Sequence, residues 1–205
     1  MTPLGVLENL MTGPAKRKAT YEDLLAVPGH LTAEIIYGVL YTHPKPAPPH
    51  ATTQSAVNGE LTGPFQKGRG GPGGWWFMTE AELHLGPHVV APDIAGWRRE
   101  RMPYMPATAY IELSPDWICG IVSPSTEDVD RGPKRRVYAT YGVGYLWLLN
   151  PVAKYLETYA LRESSWVHLE TYRDGETVTA PPFDALPIEI ADLWPIPSAP
   201  PVSKT

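Results

Sequence analysis

Cysteine is almost absent. Cys119 stands alone among 205 residues, which excludes an intramolecular disulfide and suits a reducing cytoplasm. No stretch approaches the roughly 18 uncharged apolar residues that a membrane span requires. The N-terminus places Glu8 near its start and Lys16-Arg17-Lys18 after its apolar residues, the wrong order for a secretory signal. A P-loop, a G-x-S-x-G elbow and the Cys/His spacing of a zinc site are all missing. Basic charge is also short. Seventeen Lys and Arg face 22 Asp and Glu, for a net charge of −5 and a pI of about 5.7. Bulk electrostatics therefore draw no nucleic acid, and any phosphate site must be a local basic patch on an acidic body.

What is present fits one globular domain. Apolar residues make up 43% and charged residues 19%, which excludes wholesale disorder. The 24 prolines and 18 glycines call for many turns and short elements rather than a bundle of long helices. Residues 1–18 read as a loose leader and 195–205 as a disordered tail, leaving a single domain over 19–194. Thr20 caps a short helix from Tyr21 to Val27. A β-hairpin or a bulged strand follows around Gly38, then a proline-rich connection and a helix from His50 to Phe65. The basic, glycine-rich stretch 67–74 reads as a plain loop. Strands are expected at Trp75–Met78, Ala81–Leu85, 89–97 and 117–122. The last of these is a continuous apolar run that suits a strand covered on both faces. A helix from Glu127 to Tyr141, a buried strand at 144–149 and three further strands complete the pattern. The fold class is α/β, with a mixed sheet and an antiparallel C-terminal meander. The strands at 89–97 and 117–122 should be adjacent, with the helix at 127–141 over one face.

Three features offer chemistry. Glu34 opens the first hairpin, Asp93 follows Pro92 inside a strand, and Asp130 and Lys134 lie four apart on the helix after the central strand. Glu80, Glu82 and His84 alternate, so a strand would place all three on one face. Carboxylates gathered at strand ends suit a hard divalent ion such as Mg²⁺. A nearby lysine can stabilise the charge that develops on an attacked phosphodiester. Each signal has a plainer reading: an edge residue for Asp93, a solvated helix pair for Asp130 and Lys134, and the wet face of a strand for the alternating three. His43 and His50 flank the proline connection and read as structural or exposed.

Several blocks together carry a resemblance. These are Tyr21-Glu22-Asp23-Leu24-Leu25, Ala33-Glu34-Ile35-Ile36-Tyr37-Gly38, Val90-Ala91-Pro92-Asp93-Ile94-Ala95 and Ile121-Val122-Ser123-Pro124-Ser125-Thr126. Asp130-x-x-x-Lys134-x-x-x-Tyr138 and the segment from Gly142 to Pro151 follow. The chain resembles the Uma-two family of bacterial endonucleases with the restriction-endonuclease-like PD-(D/E)xK fold. The likeness runs over roughly residues 18–194. It implies a metal-dependent nuclease core, with Mg²⁺ or Mn²⁺ on Asp93. Glu34 would be the helix-side acid, and Lys134 a catalytic lysine moved from the strand to the following helix.

The sequence departs from that pattern at the strand acid. The position is Gly120, and Val122 stands where an E-x-K lysine would be. Tyr37 and Asn150 also replace acids. Glu82 is the candidate substitute, as a catalytic residue and as a metal ligand beside Asp93; Asp130 is a second. Arg98, Arg99, Lys134 and Arg135 directly follow the two motif strands and are the candidate phosphate contacts. Three readings stay open: a DNA endonuclease impaired at Gly120, a degenerate nuclease fold that binds nucleic acid or protein without cutting, and a scaffold. Gly120 itself either makes room for a ligand or neighbouring backbone, or marks a lost carboxylate. Seven tryptophans and eleven tyrosines, together with the need for one site per strand of a duplex, point to a homodimer.

Overall fold

The computed structural model describes residues 17–194. Most of the expected leader and all of the expected tail lie outside the described residues. Helix α1 (Tyr21–Leu25) opens on a capping box. The Thr20 hydroxyl accepts from the Asp23 N–H and the Asp23 carboxylate accepts from the Thr20 N–H, which satisfies two orphan donors at once. Strands β1 (Leu31–Ile36) and β2 (Val39–Pro44) form an antiparallel hairpin. Its two-residue turn has φ of 53° at Tyr37 and 77° at Gly38, the left-handed pair that a tight hairpin requires. A Cβ on Gly38 would lie 2.8 Å from Lys18 Cγ. Gly38→Ala is therefore expected to cost about 1–2 kcal/mol, as measured by urea denaturation.

Helix α2 (Pro48–Leu61) begins on two prolines, whose missing N–H groups are orphans at a helix start. It runs on into a π-helical turn at Thr62–Gln66. Six strands form the main sheet in the order β10-β9-β8-β7-β6-β3. They are β3 (Trp75–Thr79), β6 (Ile94–Arg98), β7 (Trp117–Ile121), β8 (Tyr145–Asn150), β9 (Tyr155–Arg162) and β10 (Ser165–Arg173). Only β7 and β8 are parallel. The crossover between them is helical from Glu127 to Thr140, as α3 (Glu127–Val129), a π turn at Asp130–Lys134 and α4 (Arg135–Thr140). Parallel neighbours need such a crossover. Pro133 lacks the N–H an α-helix would use, and the π turn forms around it.

Cores lie on both faces of this sheet. Trp117, Cys119 and Ile121 face one of them, with Phe77, Trp147 and Phe183. Ile118 and Val122 face the other, with Trp97, Leu146, Leu148, Val137 and Tyr138. Double coverage explains the unbroken apolar run at 117–122. Five of the seven tryptophans (Trp75, Trp97, Trp117, Trp147 and Trp194) are buried in these cores, so they supply no outer surface for a partner.

Three expected elements differ. The single strand at 89–97 is two strands in two sheets. β5 (His88–Val90) belongs to a four-stranded sheet, β2-β1-β5-β4, while β6 belongs to the six-stranded one. Ala91-Pro92-Asp93 makes the break, because proline cannot donate to a ladder. Within the split, β6 still pairs with β7, as expected of the two motif strands. Second, β4 is only Leu83–Leu85. Glu80 takes φ of 51° in a turn, so Glu80, Glu82 and His84 do not share one strand face. Third, the segment at 177–180 leaves the meander. It forms β11 (Thr177–Val178), paired with β12 (Ile188–Glu189) in a separate ribbon, because Pro181-Pro182 ends it. Among the described residues no helix is long and apolar enough to cross a membrane.

Candidate active site

The break in the strand builds the site. Ala91 has left the ladder, and its N–H donates to Glu34 Oε1 at 2.7 Å. The Asp93 carbonyl accepts from Gln54 Nε2 at 2.8 Å and from the Glu80 N–H at 3.1 Å. Asp93 Oδ2 accepts from the Ile121 N–H at 2.6 Å, and Oδ1 lies 3.0 Å from His50 Nε2. The Asp93 carboxylate is thus fixed at the seam between the two sheets by β7 on one side and α2 on the other. Burial acts to lower the His50 pKa. The hydrogen bond and charge of Asp93, with Asp130 and Glu80 behind, outweigh it and hold the imidazole above its ordinary value.

Next to Asp93, the π turn delivers a buried charge cluster. Lys134 Nζ lies 3.0 Å from Glu34 Oε1 and 3.1 Å from Asp130 Oδ1. Glu34 is 1% exposed, Asp130 8% and Lys134 7%, which rules out a solvated helix pair. Burial works against the Lys134 charge, but Asp130 and Glu34 outweigh it and hold the ammonium well above the ordinary lysine value. Lys134 stays protonated throughout the neutral range. The Tyr138 hydroxyl, one helical turn on, is buried without a hydrogen-bond partner. Burial raises its pKa, with the Lys134 charge opposing.

Asp93, Asp130, Lys134 and His50 line a cavity of about 530 Å³, which Glu82 and Ser123 also border. Glu82 has other partners at its edge. Its Oε1 accepts from the Tyr21 hydroxyl at 2.8 Å and lies 2.7 Å from His84 Nε2. Arg98 and Arg99 are not brought to this end. They lie about 17 Å along the strand from Asp93 and cover the rings of Trp75 and Trp76 at 4.8 and 3.9 Å. Arg135 sits 4.3 Å over the ring of Tyr159.

The β6–β7 register pairs Ile94 with Cys119 and Ala95 with Ile118. Continued by one residue, it sets Asp93 opposite Gly120, and directly opposed residues point to the same face. A Cβ at Gly120 would meet only the end of a side chain, Leu148 Cδ2 at 3.0 Å. No neighbouring backbone demands a glycine there. Cys119, the other reactive group nearby, is buried and its thiol pKa is pushed well up by burial and by Asp93, so it offers no thiolate.

A family model described as "Uma2: Putative restriction endonuclease" matches residues 19–191. This chain belongs to the Uma2 family. The matched span contains Glu34, Asp93, Asp130 and Lys134, so the whole cluster lies within the Uma2 domain. A crystal structure described as a "putative nuclease belonging to DUF820", from Anabaena variabilis, aligns with a TM-score of 0.65. The alignment covers 86% of this chain and 97% of that one at 22% identity, and shows that this Uma2 chain shares that protein's fold. No curated protein matches.

Sequence reasoning missed His50 and Gln54. They lie four apart on α2 and both reach Asp93, one by its carboxylate and one by its carbonyl. The helix-start prolines and the i, i+4 spacing were visible. That this face of α2 meets Asp93 was not.

Proposed function

We propose that this Uma2 chain is a divalent-metal-dependent endonuclease that hydrolyses DNA phosphodiester bonds in the Asp93–Lys134 cleft, slowly, because position 120 carries no carboxylate. The observation that carries the reading is the buried Glu34–Lys134–Asp130 cluster beside a fixed Asp93, all within the family-matched span. Among the described residues no group of three His, Cys, Asp or Glu side chains could hold a metal ion by itself. A nuclease Mg²⁺ usually takes one or two carboxylates and completes its shell with water and substrate phosphate oxygens. The hard oxygen donors present fit that weaker mode for Mg²⁺ or Mn²⁺.

Asp93 would hold the ion; Glu82 borders the same cavity with its Oε1 engaged by Tyr21 and His84. When bound, the ion supplies charge neutralisation at the phosphate and a lowered pKa for the attacking water. The rest falls to the chain. The Ile121 N–H and His50 keep the Asp93 carboxylate oriented. Lys134 is protonated, so it cannot act as a base. Its ammonium is ion-paired with Glu34 and Asp130 and borders the cavity, where its charge would stabilise negative charge on the phosphorus oxygens. Glu34 and Asp130 position the ammonium.

Supercoiled plasmid tests the reading. Slow nicking is expected with Mg²⁺ or Mn²⁺, abolished by chelation and by Asp93→Ala. An Asp93→Ala variant as active as the unaltered protein would overturn it. DNA binding without cleavage under any divalent ion would favour the second reading, a binding module, which Gly120 opposite Asp93 supports.

A further inference from the structure

The cavity beside Asp93 has a mixed lining. Asp93 and Lys134 contribute ionic groups. Leu24 of α1, Val27 just after it, Leu31 of β1 and Val89 of β5 contribute aliphatic side chains. α1 is joined to the rest of the cavity lining by the Tyr21 hydroxyl, which donates to Glu82. At about 530 Å³, the cavity lies in the range of small-molecule sites and has room for one nucleoside.

The cations that a duplex backbone would need are elsewhere. Duplex binders neutralise six to ten phosphates with Lys and Arg. Here Lys134 is committed to two carboxylates. Arg98 and Arg99 lie at the far end of β6, against tryptophan rings. Lys45 is the one other Lys or Arg among the residues lining the cavity. A cavity of this size with so few cations is a poor seat for a stacked, paired duplex. It is a good seat for a base out of the stack, because enzymes that take up an extruded base hold it among apolar side chains.

We infer that the aliphatic residues of the cavity lining take the base of one unpaired nucleotide whose phosphate lies at Asp93 and Lys134, so that the substrate is single-stranded or locally unpaired nucleic acid. The inference rests on the nuclease reading and adds the substrate class. α1 and β1 select the substrate, and the carboxylate end performs the chemistry.

The test uses the full chain, with Ca²⁺ in place of Mg²⁺ to prevent turnover, and oligonucleotides carrying 2-aminopurine. One set is single-stranded or holds the probe in a three-nucleotide bulge. The other is the fully paired duplex of the same sequence. The unpaired set is expected to bind at least about tenfold more tightly, to change 2-aminopurine emission on binding, and to show a log–log salt slope near one. The double variant Leu24→Ser, Val27→Ser changes two part-exposed side chains, one in α1 and one just after it. It is expected to lose about tenfold for unpaired probes and little for duplex, with unchanged circular dichroism. Equal or tighter duplex binding with a slope of six or more would overturn the base pocket and leave the nuclease reading standing. So would a double variant that binds unpaired probes as tightly as the unaltered protein. Failure of every probe to bind would overturn both.

Discussion

Gly120→Glu is expected to raise divalent-metal affinity and plasmid cleavage together, by about tenfold for each 1.4 kcal/mol of stabilisation regained. The new carboxylate would sit across the β6–β7 ladder from Asp93 and on the same face. That gives the ion a second hard oxygen donor from a strand already rigid on both sides. The steric cost is small in kind. The one close contact of the new Cβ is Leu148 Cδ2 at 3.0 Å, the free end of a side chain that can shift by a few tenths of an ångström. The electrostatic cost is larger, since the position lies in a buried strand. Without metal the variant should therefore melt below the unaltered protein. Added Mg²⁺ should raise its Tm, because an ion bound only by the folded state stabilises it. Adding Asp93→Ala should remove both gains. If the unaltered protein already cleaves as fast as the glutamate variant, another acid completes the site, and Glu82 at the cavity edge is the candidate.

Lys134→Met should be the most destabilising single change near the cleft. It leaves the buried carboxylates of Glu34 and Asp130 facing each other without their cation. Breaking a buried pair in this way costs about 3–5 kcal/mol, and cleavage should fall with it. The pH dependence gives a separate signature. In the unaltered protein the folded-state pKa of Lys134 is raised. Its stabilisation is fully present below the unfolded lysine value, about 10.4, and is lost only as pH rises through the folded value. No change from this group is expected between pH 6 and 9. In the variant, two uncompensated buried acids hold protons more tightly folded than unfolded, so their penalty grows as pH rises past the ordinary carboxylate range. Urea denaturation should find the variant closer to the unaltered protein at pH 5 than at pH 8. A uniform deficit at both values would mean that the loss is packing rather than charge.

The residues that proved easiest to place were those with local causes. Thr20 and Asp23 form their capping box within four residues. Tyr37-Gly38 turns the hairpin wherever the hairpin goes. The apolar run at 117–122 implies cover on both faces, and Gly142 follows the crossover helix that parallel pairing requires. Asp130 and Lys134 were legible as a pair, but their surroundings were not. The same i, i+4 spacing serves a solvated face as well as it serves a buried cluster, and only the approach of Glu34 from β1 distinguishes them. Arg98 and Arg99 show the converse. Their position after a motif strand suggested phosphate contacts, while the rings of Trp75 and Trp76 from the neighbouring strand hold them at the wrong end.

By itself, the sequence determined the mixed α/β class, most of the elements, the pairing of the two motif strands and the absence of a carboxylate at position 120. These follow from periodicity, turn chemistry and residue identity, which act over a few residues. Tertiary structure alone decided that Pro92 splits one strand between two sheets, that the split frees Ala91 and Asp93 to hold Glu34, Gln54 and His50, and that Lys134 is buried between two acids. Each of these is a contact between segments 28 or more residues apart, apart from the Lys134–Asp130 pair. The free energy of such contacts depends on burial and on which charge arrives opposite, and neither is set by the local chain.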